Sequence, residues 1–389
     1  MTARPASAGC RLRIAVMAHV RHPIRPPFAG GLEAHSWHLV RALRARGHAV
    51  TLFASGDSDP ALEPHPILPV HYDRDFPWHR HHGTEALNRH VDAGFRAAAR
   101  ALLDGGFDVV HNNALHRYPP RLARAHRVPT LTALHVPPFD ALRRAVHESP
   151  APWALFSVTS ERQRSSWWGD AVPPQARVVH NGIDPRAWPF SPQGGGGVAW
   201  AGRIAPNKGT HLAVAAAREA GMRLTLYGPI EDRPYFERTV APALGDVVRY
   251  GGHLAGPDLA RALGAADLFA FTPMWDEPFG LAAVEAMACG LPVAAIDNGA
   301  AREVIGPEAG RFAAPDDVAG LAAAMRAAAA IDRTVPRARV EAAFTLDRMV
   351  EAYEALYREA IAARDADMPA VAFPEIELSV AAPVLRAAG

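Results

Sequence analysis

Short apolar runs alternate with amphipathic segments twice along this chain, on either side of one Pro- and Gly-rich stretch. This double alternation restricts the fold more than any other feature. RLRIAVMAHV (11–20), HAVTLFAS (48–55), DVVHNN (108–113), PTLTALH (129–135), WALFSVTS (153–160) and RVVHNGID (177–184) read as short strands. Runs of this length and apolarity suit strands buried on both faces. LEAHSWHLVRALRARG places Leu32, Leu39, Val40 and Leu43 on one helical face and ends at Gly47, a residue suited to a helix C-terminus. Residues 85–103 predict a second long helix. WPFSPQGGGG (188–197) carries no charged residue and reads as a linker. Beyond it GVAWAG, RLTLYG, VVRYGG, DLFAFTP and LPVAAID predict five further strands between helix-like segments. Residues 340–363 predict one long final helix, and the tail 364–389 shows no pattern. An α/β chain with two parallel-sheet domains follows.

Composition allows this and removes other classes. The chain has 389 residues, 49% hydrophobic and 21% charged, enough for two sizeable cores. Cys10 and Cys289 lie far apart without CxxC spacing, so neither a disulfide framework nor a cysteine zinc site is expected. No apolar run approaches the ~18 residues of a membrane span. The N-terminus lacks the apolar stretch of a secretory signal. A cytoplasmic protein is the expectation, and no nucleic-acid partner is foreseen. The net charge of +1 conceals an asymmetry. Residues 1–187 carry 23 arginines against 15 acidic residues, whereas residues 188–389 carry 18 basic against 25 acidic. Seventeen of the 19 histidines lie in the first part. The basic half suggests an anionic or membrane-surface acceptor.

Three stretches carry the chemistry. A Gly30-Gly31 step precedes the first helix, and free N–H groups at such a helix start suit phosphate. AGRIAPNKGT (201–210) holds Lys208, the one lysine among 41 basic residues. Arg203 and Lys208 flank a strand-to-helix turn, where a fork-shaped and a compact cation suit a diphosphate. DEPFGLAAVEAMACGLPV (276–293) sets Glu277 before a helix and Glu285 within its early turns, with Gly280 and Leu281 offering backbone N–H groups. Carboxylates at one cleft suit sugar and ribose hydroxyls, because each accepts more than one hydrogen bond.

Taken in order, these stretches resemble a known family. EPFGLAAVE is similar to the E-x7-E signature of retaining GT-B glycosyltransferases of family 4, the group 1 glycosyl transferases. AGRIAPNKG resembles that family's diphosphate loop, AGGLEAHSWHLVRALRARGHAVTLFA its N-terminal strand-helix-strand, and HNGID its turn before the linker. The resemblance spans residues 11 to about 360. It implies the GT-B fold: two Rossmann-like domains, 11–187 on the acceptor side and 198–345 on the nucleotide-sugar side. It also implies a helix over 346–363 that crosses back to the first domain. Arg203 and Lys208 would hold the donor diphosphate. Glu277 would hold hydroxyls of the transferred sugar, Glu285 those of the ribose. Phe279, Gly280 and Leu281 would present backbone to the donor, Gly31 would close on the diphosphate, and His135 would lie by the donor sugar. Transfer would proceed with retention and without a metal or other cofactor.

Other readings compete. A nucleotide-sugar epimerase would share the donor site, and a non-catalytic nucleotide-sugar-binding protein would lack turnover. A dehydrogenase would need a GxGxxG that the first strand lacks. Asp57-Ser58-Asp59 imitates a metal signature but reads as a loop. WHRHH (78–82) with His71 lacks helical metal-ligand spacing and instead offers, with Tyr72, Phe76 and Trp78, a candidate acceptor wall. His111 and His116 are placed near a strand end, and Trp167-Trp168 is either membrane-facing or packed.

Overall fold

The computed structural model describes residues 11–366. The first sheet is formed by β1 (Arg13–Met17), β2 (Ala49–Ser55), β3 (His65–Leu68), β4 (Val109–Asn112), β5 (Thr130–Leu134), β6 (Ala154–Val158) and β7 (Ala176–Val178). They are parallel and ordered β3-β2-β1-β4-β5-β6-β7. The second is formed by β8 (Val198–Ala201), β9 (Leu224–Tyr227), β10 (Val248–Tyr250), β11 (Leu268–Phe271), β12 (Val293–Ile296) and β13 (Gly310–Ala313). These run parallel in the order β10-β9-β8-β11-β12-β13. Every strand expected from the sequence is present. β3 and β13 are additional. β3 holds Pro66, which an edge strand tolerates because its outer side needs no ladder donor.

The order reverses twice, between β1 and β4 and between β8 and β11. In open parallel sheets such reversals leave a crevice at the carboxyl ends of the diverging strands. The sequence thereby places the loops after β1, β4, β8 and β11 where a ligand can enter.

The final helix departs from the expected single element. A helix over Thr334–Ala343 stops at Phe344, and a new one runs Leu346–Ala366. Between them Thr345 bridges to Ile183, and the Ile183 amide donates to the Phe344 carbonyl at 2.9 Å. That bridge takes backbone groups a continuous helix would need. The rest of the tail lies outside the described residues. Met349, Val350, Tyr353, Leu356, Tyr357 and Ala360 form one face of the last helix and pack on Ile14, Val16, Val109 and Leu131 of the first sheet. A chain that has built the second sheet thus returns to cover the first. Trp167 and Trp168 are buried in a satellite core beside β6 and are not membrane-facing.

The loops after β8 and β9 touch where neither residue has a side chain. Gly228 has a φ of +132°, and a Cβ there would stand 1.9 Å from the Gly202 carbonyl oxygen. Gly228→Ala is therefore expected to destabilise the protein by more than about 1 kcal/mol. Urea unfolding checks this, and an unchanged midpoint contradicts it.

Candidate active site

A cleft of about 1460 Å³ is lined by residues of both halves, and all four switch-point loops reach it. Gly31, His135, Arg203, Lys208, Glu277, Phe279, Gly280, Leu281 and Glu285 all line it. The motifs far apart in sequence are therefore brought together as expected.

Lys208 ends a short 3-10 turn after β8, and Gly209 follows in the left-handed region at φ +62°. The Lys208 ammonium donates to Glu277 Oε2 at 2.6 Å. The Trp275 indole N–H donates to the same oxygen at 2.7 Å, and the ammonium sits 4.9 Å from the Trp275 ring centroid. Among the described residues no hydrogen-bond donor faces Glu277 Oε1. One carboxylate oxygen thus anchors the lysine loop while the other is left for a ligand hydroxyl. Thr272 stiffens the arrangement: its hydroxyl donates to the Lys208 carbonyl at 2.9 Å and accepts from the Trp200 indole at 2.9 Å. Arg203 faces Glu231, with Nη1 2.6 Å from Oε1.

Gly280, at φ +93°, is the N-cap of the Leu281–Ala288 helix, and no side chain caps that end. Its first amides open into the cleft. Gly31 approaches from the other half: a Cβ there would lie 3.2 Å from Leu281 Cδ1. Phe279 is buried and packs edge-on against Phe344, with ring centroids 5.5 Å apart. Thr159 and Ser160, from the end of β6, both donate to the Pro278 carbonyl, at 3.0 and 2.7 Å. The acidic loop is therefore held from both halves. Glu285 is half-buried on its helix, with no polar partner among the described residues. Burial pushes its carboxyl up to about 8.

His135, at the end of β5, stands in a buried relay. Tyr357 of the last helix bonds His111 Nδ1 at 2.8 Å, His111 Nε2 meets Asn113 Oδ1 at 2.9 Å, and His135 Nε2 meets the same oxygen at 3.1 Å. An amide oxygen only accepts, so both imidazoles carry their proton on Nε2. Burial lowers the His135 imidazole to about 3 and it stays neutral. His111 is fully buried and does not line the cleft, whereas His116 does. Trp275, Glu231 and Asn113 were not expected from sequence. Only Trp275, two residues before Glu277, sits beside a motif.

The remaining motifs are structural. Asp57 pairs with His71, Ser58 accepts from the Ile24 amide, and Asp59 accepts from the Trp37 indole. Among the described residues no cluster of His, Cys, Asp or Glu is placed to hold a metal ion. Cys289 is a buried free thiol, and Cys10 lies outside the described residues.

Comparison with known proteins shows likeness in sequence and in fold. The family profile Glycosyltransferase Family 4 matches residues 29–187, and Glycosyl transferases group 1 matches residues 196–330. A glycogen synthase of Mycobacterium tuberculosis is 29% identical, over 77% of this chain and 83% of that protein. A phosphatidyl-myo-inositol mannosyltransferase of Mycolicibacterium smegmatis is 28% identical, over 76% of this chain and 80% of its own. The solved structure of a sucrose-phosphate synthase from Thermosynechococcus elongatus superposes with a TM-score of 0.71 at 23% identity, covering 91% of this chain and all of that one. Anabaena HepE in complex with UDP-glucose gives 0.68 at 19% identity, covering 90% of this chain and all of its own. These superpositions establish the GT-B fold.

The raised Glu285 carboxyl makes stability depend on pH. The unfolded chain releases this proton at the ordinary carboxyl value of about 4.5 and the folded chain at about 8, so stability falls as pH rises through that window. Glu285→Gln removes the penalty. The variant is expected to exceed the wild type by on the order of a few kcal/mol at about pH 8.5 and to match it near about pH 4. Urea unfolding at both values reads this, and a difference independent of pH contradicts it.

Proposed function

The chain belongs to glycosyltransferase family 4, and from that premise we propose that this enzyme transfers a sugar, with retention and without a metal, from a nucleoside-diphosphate sugar to an acceptor hydroxyl. The observation that carries the reading is the Lys208–Glu277 pair, with a second cation, Arg203, on the same loop and a free oxygen on Glu277.

In this reading residues 198–345 hold the donor and residues 11–187 the acceptor. As the glycosidic bond to the diphosphate breaks, negative charge grows on the leaving phosphate. Lys208, Arg203 and the uncapped amides at Leu281 are fixed groups that stabilise that charge most in the transition state. Arg203 exchanges Glu231 for phosphate oxygens. Glu277 Oε1 accepts from the transferred sugar's hydroxyls. Glu285 accepts from the ribose, and the neutral His135 ring borders the sugar. Gly31 closes against the Leu281 end of the same helix. With two cations and a helix start at the phosphates, no metal is required.

An epimerase or a non-catalytic binder needs space for one ligand. The cleft, at about 1460 Å³, exceeds the roughly 1,000 Å³ upper range of pockets for a single small molecule. That leaves room for an acceptor beside the donor. Among the described residues no helix is long and apolar enough to cross a membrane. Action in the cytoplasm, at most peripheral to a membrane surface, belongs to the same proposal.

Thermal unfolding against UDP-, GDP- and ADP-sugars tests the donor site. One nucleotide class is expected to raise the midpoint, and Lys208→Ala to abolish the rise. No rise with any of the three contradicts the donor assignment. Lys208→Arg keeps the charge but not the compact ammonium, so transfer is expected to fall at least about tenfold. Transfer measured in excess EDTA is expected to be unchanged, and loss restored by Mg²⁺ or Mn²⁺ contradicts metal independence.

A further inference from the structure

The acceptor side of the cleft has a charge balance that the composition of the N-terminal half conceals. Two arginines of that half line the cleft, Arg21 and Arg117. Each faces a carboxylate. Arg21 Nε lies 3.4 Å from Asp73, and Arg117 Nη2 lies 2.5 Å from Asp92. The other cleft-lining cations, Arg203 and Lys208, belong to the donor side. His22, His116 and His135 line the same side, and burial lowers all three imidazoles, so they add no charge at neutral pH. The surplus arginines that suggested an anionic acceptor are therefore not concentrated here as free cations. A phosphate entering this wall would meet Asp92, and the two guanidiniums that line it are already committed to carboxylates.

The same wall has the features that a neutral sugar ring requires. Asp92 projects from the helix over Glu85–Asp104 and is braced on both oxygens, Oδ1 by His116 Nε2 at 2.9 Å and Oδ2 by Arg117. Each oxygen has used one lone pair and retains another, fixed in direction by its brace. Two aligned acceptors of this kind suit a pair of neighbouring hydroxyls. Apolar surface lines the same cleft. Trp78, whose ring lies 4.8 Å from the Arg21 guanidinium and 4.2 Å from the His82 ring, and Phe139 are among the large apolar side chains left exposed, and both line the cleft. Aromatic surface covers the C–H faces of a ring while polar groups take its hydroxyls.

We propose that the acceptor is a neutral sugar residue, free or at the end of a glycan or glycoside, bound in the part of the cleft that Asp92, Arg117, Trp78 and Phe139 line. This rests on the donor reading above for its place in the reaction, but the subsite can be tested apart from it. Saturation-transfer NMR with methyl glucoside, methyl mannoside and methyl galactoside, against glucose 1-phosphate and inositol 1-phosphate, reads binding without nucleotide. Transfer to the same compounds and to phosphatidylinositol vesicles is then measured with whichever UDP-, GDP- or ADP-sugar raises the midpoint. At least one neutral glycoside is expected to bind and to accept sugar. Asp92→Asn is expected to raise its KM at least tenfold, and Trp78→Ala, a change at an exposed ring, at least threefold. The nucleotide-induced rise in unfolding midpoint reports the donor half separately and shows that each variant is folded. Acceptance by phosphorylated compounds or vesicles alone overturns the proposal, as does no binding of any neutral glycoside, or a KM unmoved by both substitutions. Failure of all nucleotides to raise the midpoint, with glycoside binding intact, overturns the donor reading instead.

Discussion

The geometry of the cleft depends on a single ion pair. Lys208 and Glu277 lie on the loops that leave β8 and β11, the two strands at the reversal of the second sheet, and meet at 2.6 Å. Both side chains are largely buried. Withdrawing two charges from water costs several kcal/mol per ion unless further partners satisfy them. The Trp275 indole N–H and ring supply those partners, and Thr272 ties the lysine backbone to the β11 loop. The pair thus fixes the two loops relative to each other and leaves one carboxylate oxygen uncommitted. Replacing it with apolar groups could serve stability equally well. Its chemistry therefore points to function.

The other half of the molecule is fastened to that pair. Thr159 and Ser160 grip the carbonyl of Pro278, next to Glu277, and Arg162 pairs with Asp276 at 2.8 Å. His180 and the amide of Glu161 meet Glu303 at 3.0 and 2.9 Å. The last helix returns to cover the first sheet and, through Tyr357, His111 and Asn113, fixes the imidazole of His135 at the cleft. Cleft-lining groups of the two sheets are thereby held across a shared space.

How much of this could be read beforehand follows from where each signal is carried. The strands were legible because two-face burial demands unbroken apolar runs. β3 was not, since HPIL contains a proline that only its edge position allows, and neither was β13, whose GRFA follows directly on a helix containing Gly306 and Pro307. The final helix read as continuous because nothing in its local sequence reveals that Thr345 is needed to pair with Ile183. Site residues on contiguous motifs, such as Arg203 with Lys208 and Glu277 with Glu285, were legible as groups. Glu231, Asn113 and the Asp92–Arg117 pair were not, because each acts through a partner distant in sequence. The arginine surplus of the first half suggested a charged acceptor, but only side-chain pairing shows where that charge is already neutralised.

The central claim is that this cleft moves a sugar with its anomeric configuration kept, by stabilising charge on a departing diphosphate. Proton NMR of the transfer product tests it most directly, by reading the anomeric signals of the transferred sugar, whose configuration the new glycosidic bond locks. An α-linked donor is predicted to give an α-linked product. A β-linked product contradicts retention.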